Sequence, residues 1–209
     1  MEEKLLVKRW IALFSIAIAI LFATVVATGK AMPDGRTQSG DESSRQSRNE
    51  EVRQLLMIVR DDSLRLSDPD RVVQAINRFG QLKSTEAISD LIRLLTFKRV
   101  FESERLGLEG VEEIHLITPS VRYPATGALV EIGQPSLPNL IGVIEAHDSS
   151  SLETENARYA VMAIFRDNPA LAVQHLRKAQ AEASSPQAAD RLSNAVDKVA
   201  EIVKKLTEQ

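Results

Sequence analysis

Along most of this chain apolar residues return every three or four positions, the spacing that lays one stripe down the side of an α-helix. The pattern is sharpest from Val121 to Ile144. Ala125, Ala128, Leu129 and Ile132 mark one helix there, and Leu137, Leu140, Ile141 and Ile144 the next. Gly133 stands between them, suited to the left-handed conformation in which helices often end. Pro135 and Pro138 fit the corner and the first turn of the second helix, where a missing N–H costs little. Such a hairpin cannot bury both stripes alone, so it requires neighbours of the same kind.

The neighbours are legible on both sides. Ser47 and Glu50 have the spacing of a capping box, and Val52, Leu55, Leu56 and Val59 come after it as one face. Asp68 before Pro69 reads as a cap plus first-turn proline. The helix it opens carries Val72, Val73, Ile76 and Phe79 and is expected to end at Gly80. Ser84 or Thr85 opens a third, with Ala87, Ile88, Leu91, Ile92 and Leu95 inward. The central hairpin starts at Thr118, Pro119 and Ser120, with Pro124 still inside its first turn. Beyond it, Ser150 and Glu153 form a second box ahead of Ala157, Ala160, Val161 and Ile164. Asn168-Pro169 precedes Leu171, Ala172, His175 and Leu176. Ser185-Pro186 opens a last helix with Leu192, Ala195, Val199, Ile202 and Leu206, whose Lys204 and Lys205 suit the negative end of its dipole.

Three stretches depart from this rhythm. Trp10 to Gly29 holds no charged residue and comes directly after Lys4, Lys8 and Arg9. Basic residues ahead of an apolar run keep the N-terminus cytoplasmic and send the rest of the chain across the membrane. Two forms of export remain open: a secretory signal cleaved before Lys30, or an uncleaved membrane-spanning helix, which is preferred. Residues 30–47 are rich in Ser, Gly, Asp and Arg and are expected to be a flexible tether. Residues 96–118 hold Gly107, Gly110 and a short alternation about His115, the mark of an irregular loop or small hairpin inserted into the helical array. Loops of that length in a compact domain are uncommon and usually functional or disordered. The apolar residues of this one make it a candidate partner-binding element, with Phe97, Phe101, Ile114, His115 and Leu116 as its contact residues. In the competing reading the same apolar residues fold back and seal the adjacent helix pair.

The helix pairs repeat. Residues 68–95 parallel 121–144, with Ala75–Gly80 (AINRFG) matching Ala128–Gly133 (ALVEIG) and Leu91-Ile92 matching Leu140-Ile141. Residues 157–176 form a weaker third copy, in which Arg158-Tyr159 echoes Arg122-Tyr123. Repeated helix pairs stack into α-solenoids. On Asp68, Arg71, Ala75, Phe79-Gly80, Ile132-Gly133, Pro138 and Leu140-Ile141, the pattern resembles HEAT repeats, in particular the short bacterial HEAT-like kind of phycobilisome lyases. The resemblance covers residues 68–180 and implies an all-α fold, a short α-solenoid of antiparallel helix pairs. The domain so expected spans 48–207. The third copy lacks the glycine corner and a long insertion separates the first two, so the resemblance speaks for fold more than for activity.

Composition narrows the function. Aromatics make up 4% of the 209 residues and the apolar content is Leu, Ile, Val and Ala, a balance for packed helices. With a net charge of −3 and interspersed signs there is no basic field for nucleic acid. No cysteine is present, which removes disulfides, thiolate metal sites, cysteine nucleophiles and lipoprotein lipidation. His115, His147 and His175 stand in separate elements without metal-ligand spacing. The acidic pairs Asp61-Asp62 and Glu112-Glu113 read as solvated turns, and Ser149–Ser151 as a helix cap. No cofactor, metal site or catalytic residue is expected. The reading is a non-catalytic binding or scaffold module, held in the inner membrane with its domain in the periplasm or exterior, or secreted after cleavage. Its partners would be an unidentified protein and, through the N-terminal helix, the membrane. The alternative, implied by the family, is a lyase-type enzyme such as one attaching a chromophore.

Overall fold

A computed structural model of the chain describes residues 38–101 and 118–208. All regular structure among them is helical. The expected export segment, residues 1–29, lies outside them, and among the described residues no helix is long and apolar enough to cross a membrane. The chain divides into two compact units, 1–43 and 44–209. Of the first, the described residues are the opening turns of a helix; the second holds the core.

Among the described residues ten α-helices succeed one another: α1 (Gln38–Arg60), α2 (Asp62–Ser67), α3 (Pro69–Leu82), α4 (Ile88–Arg93), α5 (Pro119–Arg122), α6 (Pro124–Ile132), α7 (Leu137–Ala146), α8 (Leu152–Ile164), α9 (Ala170–Ala181) and α10 (Pro186–Thr207). Single 3-10 turns at Thr85–Ala87 and Gln134–Ser136 lead into α4 and α7. The equivalent helices of the first two sequence copies, α3 and α6, pack directly on one another. Helix α8, from the third copy, packs on α6 and α7, while α10 lies on α7 and α9. One hydrophobic core runs through the whole set, from Val52 and Val59 of α1 to Val196 and Val199 of α10.

Two starts that combine a side-chain cap with a first-turn proline hold as read. The Asp68 carboxylate accepts from the Arg71 N–H with Pro69 in the first turn of α3, and Ser185 accepts from Ala188 N–H with Pro186 opening α10. The stripe Val72, Val73, Ile76, Phe79 is buried throughout. Four starts differ. Helix α1 begins at Gln38, so Ser47 lies inside it and residues 38–47 are helical where a tether was expected. The second box is displaced by one position: Ser151, not Ser150, accepts from Thr154 N–H, because its extended backbone points Oγ at the first turn. At α9 the cap position falls to Pro169 and Asn168 provides no side-chain cap. Finally, the helix begun at Pro119 does not run through Pro124. It stops at Tyr123, and Pro124 opens α6, since proline forces the residue before it into extended backbone (Tyr123 φ −117°, ψ 90°).

The two repeat glycines also differ from expectation. Gly80 does not end α3, which continues to Leu82 and terminates on Lys83 in the left-handed region (φ 48°). Gly80 is there for proximity: a Cβ on it would stand 3.1 Å from Ala128 Cα and collide with the Glu131 carboxylate. Gly133 does end α6, but with φ 83° and ψ −142° rather than in the left-handed helical well. That extended, positive-φ conformation is open essentially to glycine alone. Ser136 then locks the corner, its Oγ donating to Gly133 O (2.7 Å) and Leu129 O (3.0 Å).

Candidate partner-binding site

The insertion leaves the core at the end of α4. Leu94 and Leu95 are buried, and Asn156 of α8 donates from Nδ2 to Leu95 O at 2.8 Å, fixing the last turn from behind. The chain then rises past Phe97, half-buried against the core, whose N–H donates to Leu94 O (2.9 Å). Two residues further the Arg99 N–H donates to Arg122 O (2.8 Å), stitching the root of the insertion to the end of α5. Held at both points, residues 99–101 turn outward. Phe101 lies beneath the Arg99 guanidinium, 5.5 Å from ring centroid to Cζ, within cation–π range. Val100 is 41% exposed.

Of the residues expected to meet a partner, the structure thus separates two. Both are half-buried, but Phe97 packs against the core and Phe101 lines a groove beside α3; Ile114, His115 and Leu116 lie outside the described residues. The outward residues face α3 across a groove of about 540 Å³, closed on the other side by Asp70, Val73, Gln74 and Asn77. The sequence reading missed these polar positions, although their spacing of four and three places Asp70, Gln74 and Asn77 on one helical face. By type they resemble the solvated back of an amphipathic helix. What makes them a surface of interest is the return of residues 99–101 alongside, which periodicity does not encode.

The chemistry of the groove is that of recognition. It offers two carboxamides with donor and acceptor capacity, a carboxylate, a guanidinium and three apolar side chains. Among the described residues no serine, cysteine or histidine lines it. Elsewhere, His147 sits at the C-terminal end of α7, and His175 is exposed with its ring stacked on Phe165 at 4.9 Å and 15°. Asp61, of the acidic pair at 61–62, caps α2: its carboxylate accepts from the Ser63 hydroxyl and N–H and from Leu64 N–H, and these bonds lower its pKa. Glu112 and Glu113 lie outside the described residues. Among the described residues no group of His, Asp and Glu is gathered as metal ligands would be.

No protein-family model, curated protein or solved structure matches this chain.

Proposed function

We propose that the chain is a non-catalytic protein-binding module, a short HEAT-like α-solenoid exported by its N-terminal apolar segment and tethered by it to the inner membrane, with the helical domain in the periplasm. The observation that carries the binding role is the groove between α3 and residues 99–101. Its floor belongs to a rigid helix whose other face is core, and its outer wall is pinned by the Arg99–Arg122 backbone bond. Sites with convergent polar groups on a rigid support are the usual places of recognition. The solenoid reading is supported by the direct packing of α3 on α6, equivalent helices of the first two copies, and of α6 on α8 of the third. Export rests on Lys4, Lys8 and Arg9 ahead of the uncharged run from Trp10 to Gly29.

The test is site-specific photo-crosslinking from position 74 or 100 of the full chain in its native membrane. A discrete adduct from both positions, lost on adding Phe101→Ala, is the expected outcome. Equal adduct patterns from these positions and from exposed Arg166, on another part of the surface, would remove the groove from the reading.

A further inference from the structure

The last helix of the array has an outer edge that is not wholly polar. Repeat arrays end on elements whose outer faces are polar, which keeps them from stacking further. On α10 that face carries Ile202, 40% exposed, beside a groove shared with α8. Tyr159 and Met162 from α8 and Val199 and Ile202 from α10 give the groove its apolar lining.

The charged residues along this edge follow a definite order. Lys198, Glu201, Lys205 and Glu208 succeed one another at steps of three, four and three, which keeps them on one helical face. Glu208 stands just past the last turn with helical backbone (φ −91°, ψ −1°). Their signs run plus, minus, plus, minus. Read backwards the row is minus, plus, minus, plus, so it is its own complement in an antiparallel pairing. Lys198 makes no ion pair among the described residues. The pairs Glu201–Lys205 (2.7 Å) and Lys204–Glu208 (3.8 Å) are exposed and lie within one helical turn, so they exchange partners at little cost. The two other charges at the groove, Glu155 and Arg158, attract each other.

We propose that this edge joins two copies of the chain, α10 lying antiparallel on the α10 of a second copy about a twofold axis beside Val203. In that register Lys198 meets the partner's Glu208 and Glu201 meets the partner's Lys205, each twice. The two Ile202 side chains come together near the axis and cover the groove over Met162 and Val199. A twofold contact is isologous, so one surface serves both copies. A parallel pairing in register would set Lys198 on the partner's Lys198 and Glu201 on the partner's Glu201, and so repel itself. About three turns of helix make a small contact, of the transient kind.

The chain holds no cysteine, so introduced thiols report the register directly. Full chain carrying Lys198→Cys is mixed, in a non-ionic detergent, with full chain carrying Glu208→Cys and mildly oxidised. Arg166→Cys, on another part of the surface, is the control. The mixed disulfide should form about tenfold faster than disulfides within either variant alone or within the control. Two copies of position 198 would stand about 15 Å apart along the axis at 1.5 Å per residue, beyond disulfide reach. Adding Ile202→Lys to both chains sets like charges at the centre and should remove the excess. Adding Glu201→Lys instead should slow the reaction severalfold, and Lys205→Glu on top of it should restore the rate, since positions 201 and 205 then attract across the axis again. All these positions are exposed, so the variants keep their fold. Lys198→Cys alone cross-linking as fast as the mixture, an excess that survives Ile202→Lys, a double reversal no better than Glu201→Lys, or a mixed disulfide no faster than the control would each overturn the proposal. The last is the result that association through the N-terminal apolar segment alone would give.

Discussion

On the side of α3 that meets α6, two helix backbones approach until a Cβ added at Gly80 would stand 3.1 Å from Ala128 Cα. On the side that meets α1, long charged side chains span the gap. The Arg78 guanidinium donates to the Glu51 carboxylate through Nε (2.6 Å) and Nη2 (3.3 Å), and Arg48 donates to Leu82 O. Nearby, Arg60 of α1 grips Asp90 of α4, Nη2 to Oδ2 at 2.9 Å. Both sides belong to one core, since Val52 and Val59 of α1 are buried in it with Phe79 and Leu129. The difference lies in what excludes water at the edge. Close-packed small residues tolerate little added volume but are indifferent to salt and pH. Exposed ion pairs tolerate substitution and contribute little each. The α3–α6 contact is therefore the rigid spine of the domain, and α1 its most easily loosened member.

The comparison breaks most directly at Ala128, which is 2% exposed. Ala128→Asp puts a carboxylate between the helices, near the like charge of Glu131, and should cost on the order of 3 kcal/mol or more in chemical denaturation. A variant as stable as the parent would mean that α3 and α6 are not closely packed there. Gly80 sharpens the same contact by size. Gly80→Val adds branches beyond the crowded Cβ and should cost about 2 kcal/mol. For Gly80→Ala, the Glu131 carboxylate swings aside and the helix-propensity gain of about 1 kcal/mol offsets the remaining tight contact, so that variant should be near neutral. Gly80→Val as stable as the parent would mean that the two backbones do not approach closely there.

These two helix sides also mark what could be read from the chain. Caps that depend on neighbours in sequence are legible: Asp68-Pro69 and Ser185-Pro186 behave as their residue types require. So is the buried stripe of α3, because one helix period fixes it. Gly80 reads wrongly as a terminator because the aligned Gly133 is one. The signal that separates them, the backbone of α6 against α3, lies 48 residues further on, at Ala128. Asn168-Pro169 shows the limit of cap motifs even locally, as the same dipeptide logic places the cap one residue early. At the candidate site, Phe97 and Phe101 are indistinguishable by type. With the Arg99–Arg122 bond, a long-range backbone contact, between them, Phe97 packs on the core and Phe101 lines the groove.

On the α1 side the effects are smaller. Asp90 is 8% exposed and accepts from Arg60 and, at 3.5 Å, from Arg93. Asp90→Ala leaves two guanidiniums without that acceptor, but both reach solvent and recover water. The loss should be about 1 kcal/mol. It should show first as faster hydrogen exchange in the C-terminal turns of α1, with α6 unaffected; equal loss in α1 and α6 would mean that the two sides unfold as one.

The Glu51–Arg78 pair gives the smallest and most specific effect. Arg78 hydrogen-bonds the Glu51 carboxylate and lowers its pKa from the ordinary 4.5. A carboxylate whose folded pKa is depressed binds its proton more readily in the unfolded chain, so it favours folding at pH values above about 4.5. That contribution fades as pH falls through the lower, folded pKa. At neutral pH Glu51→Gln should accordingly show slightly faster amide exchange in α1 than the parent, and added salt should narrow the gap. As pH falls below the folded pKa the two proteins should converge, because the parent's Glu51 is then protonated too. Other carboxylates titrate in the same range, Asp61 among them, and the difference between the two proteins cancels them. A gap that persists undiminished throughout acid titration would show that Glu51 acts through its packing on α3 and not through its charge.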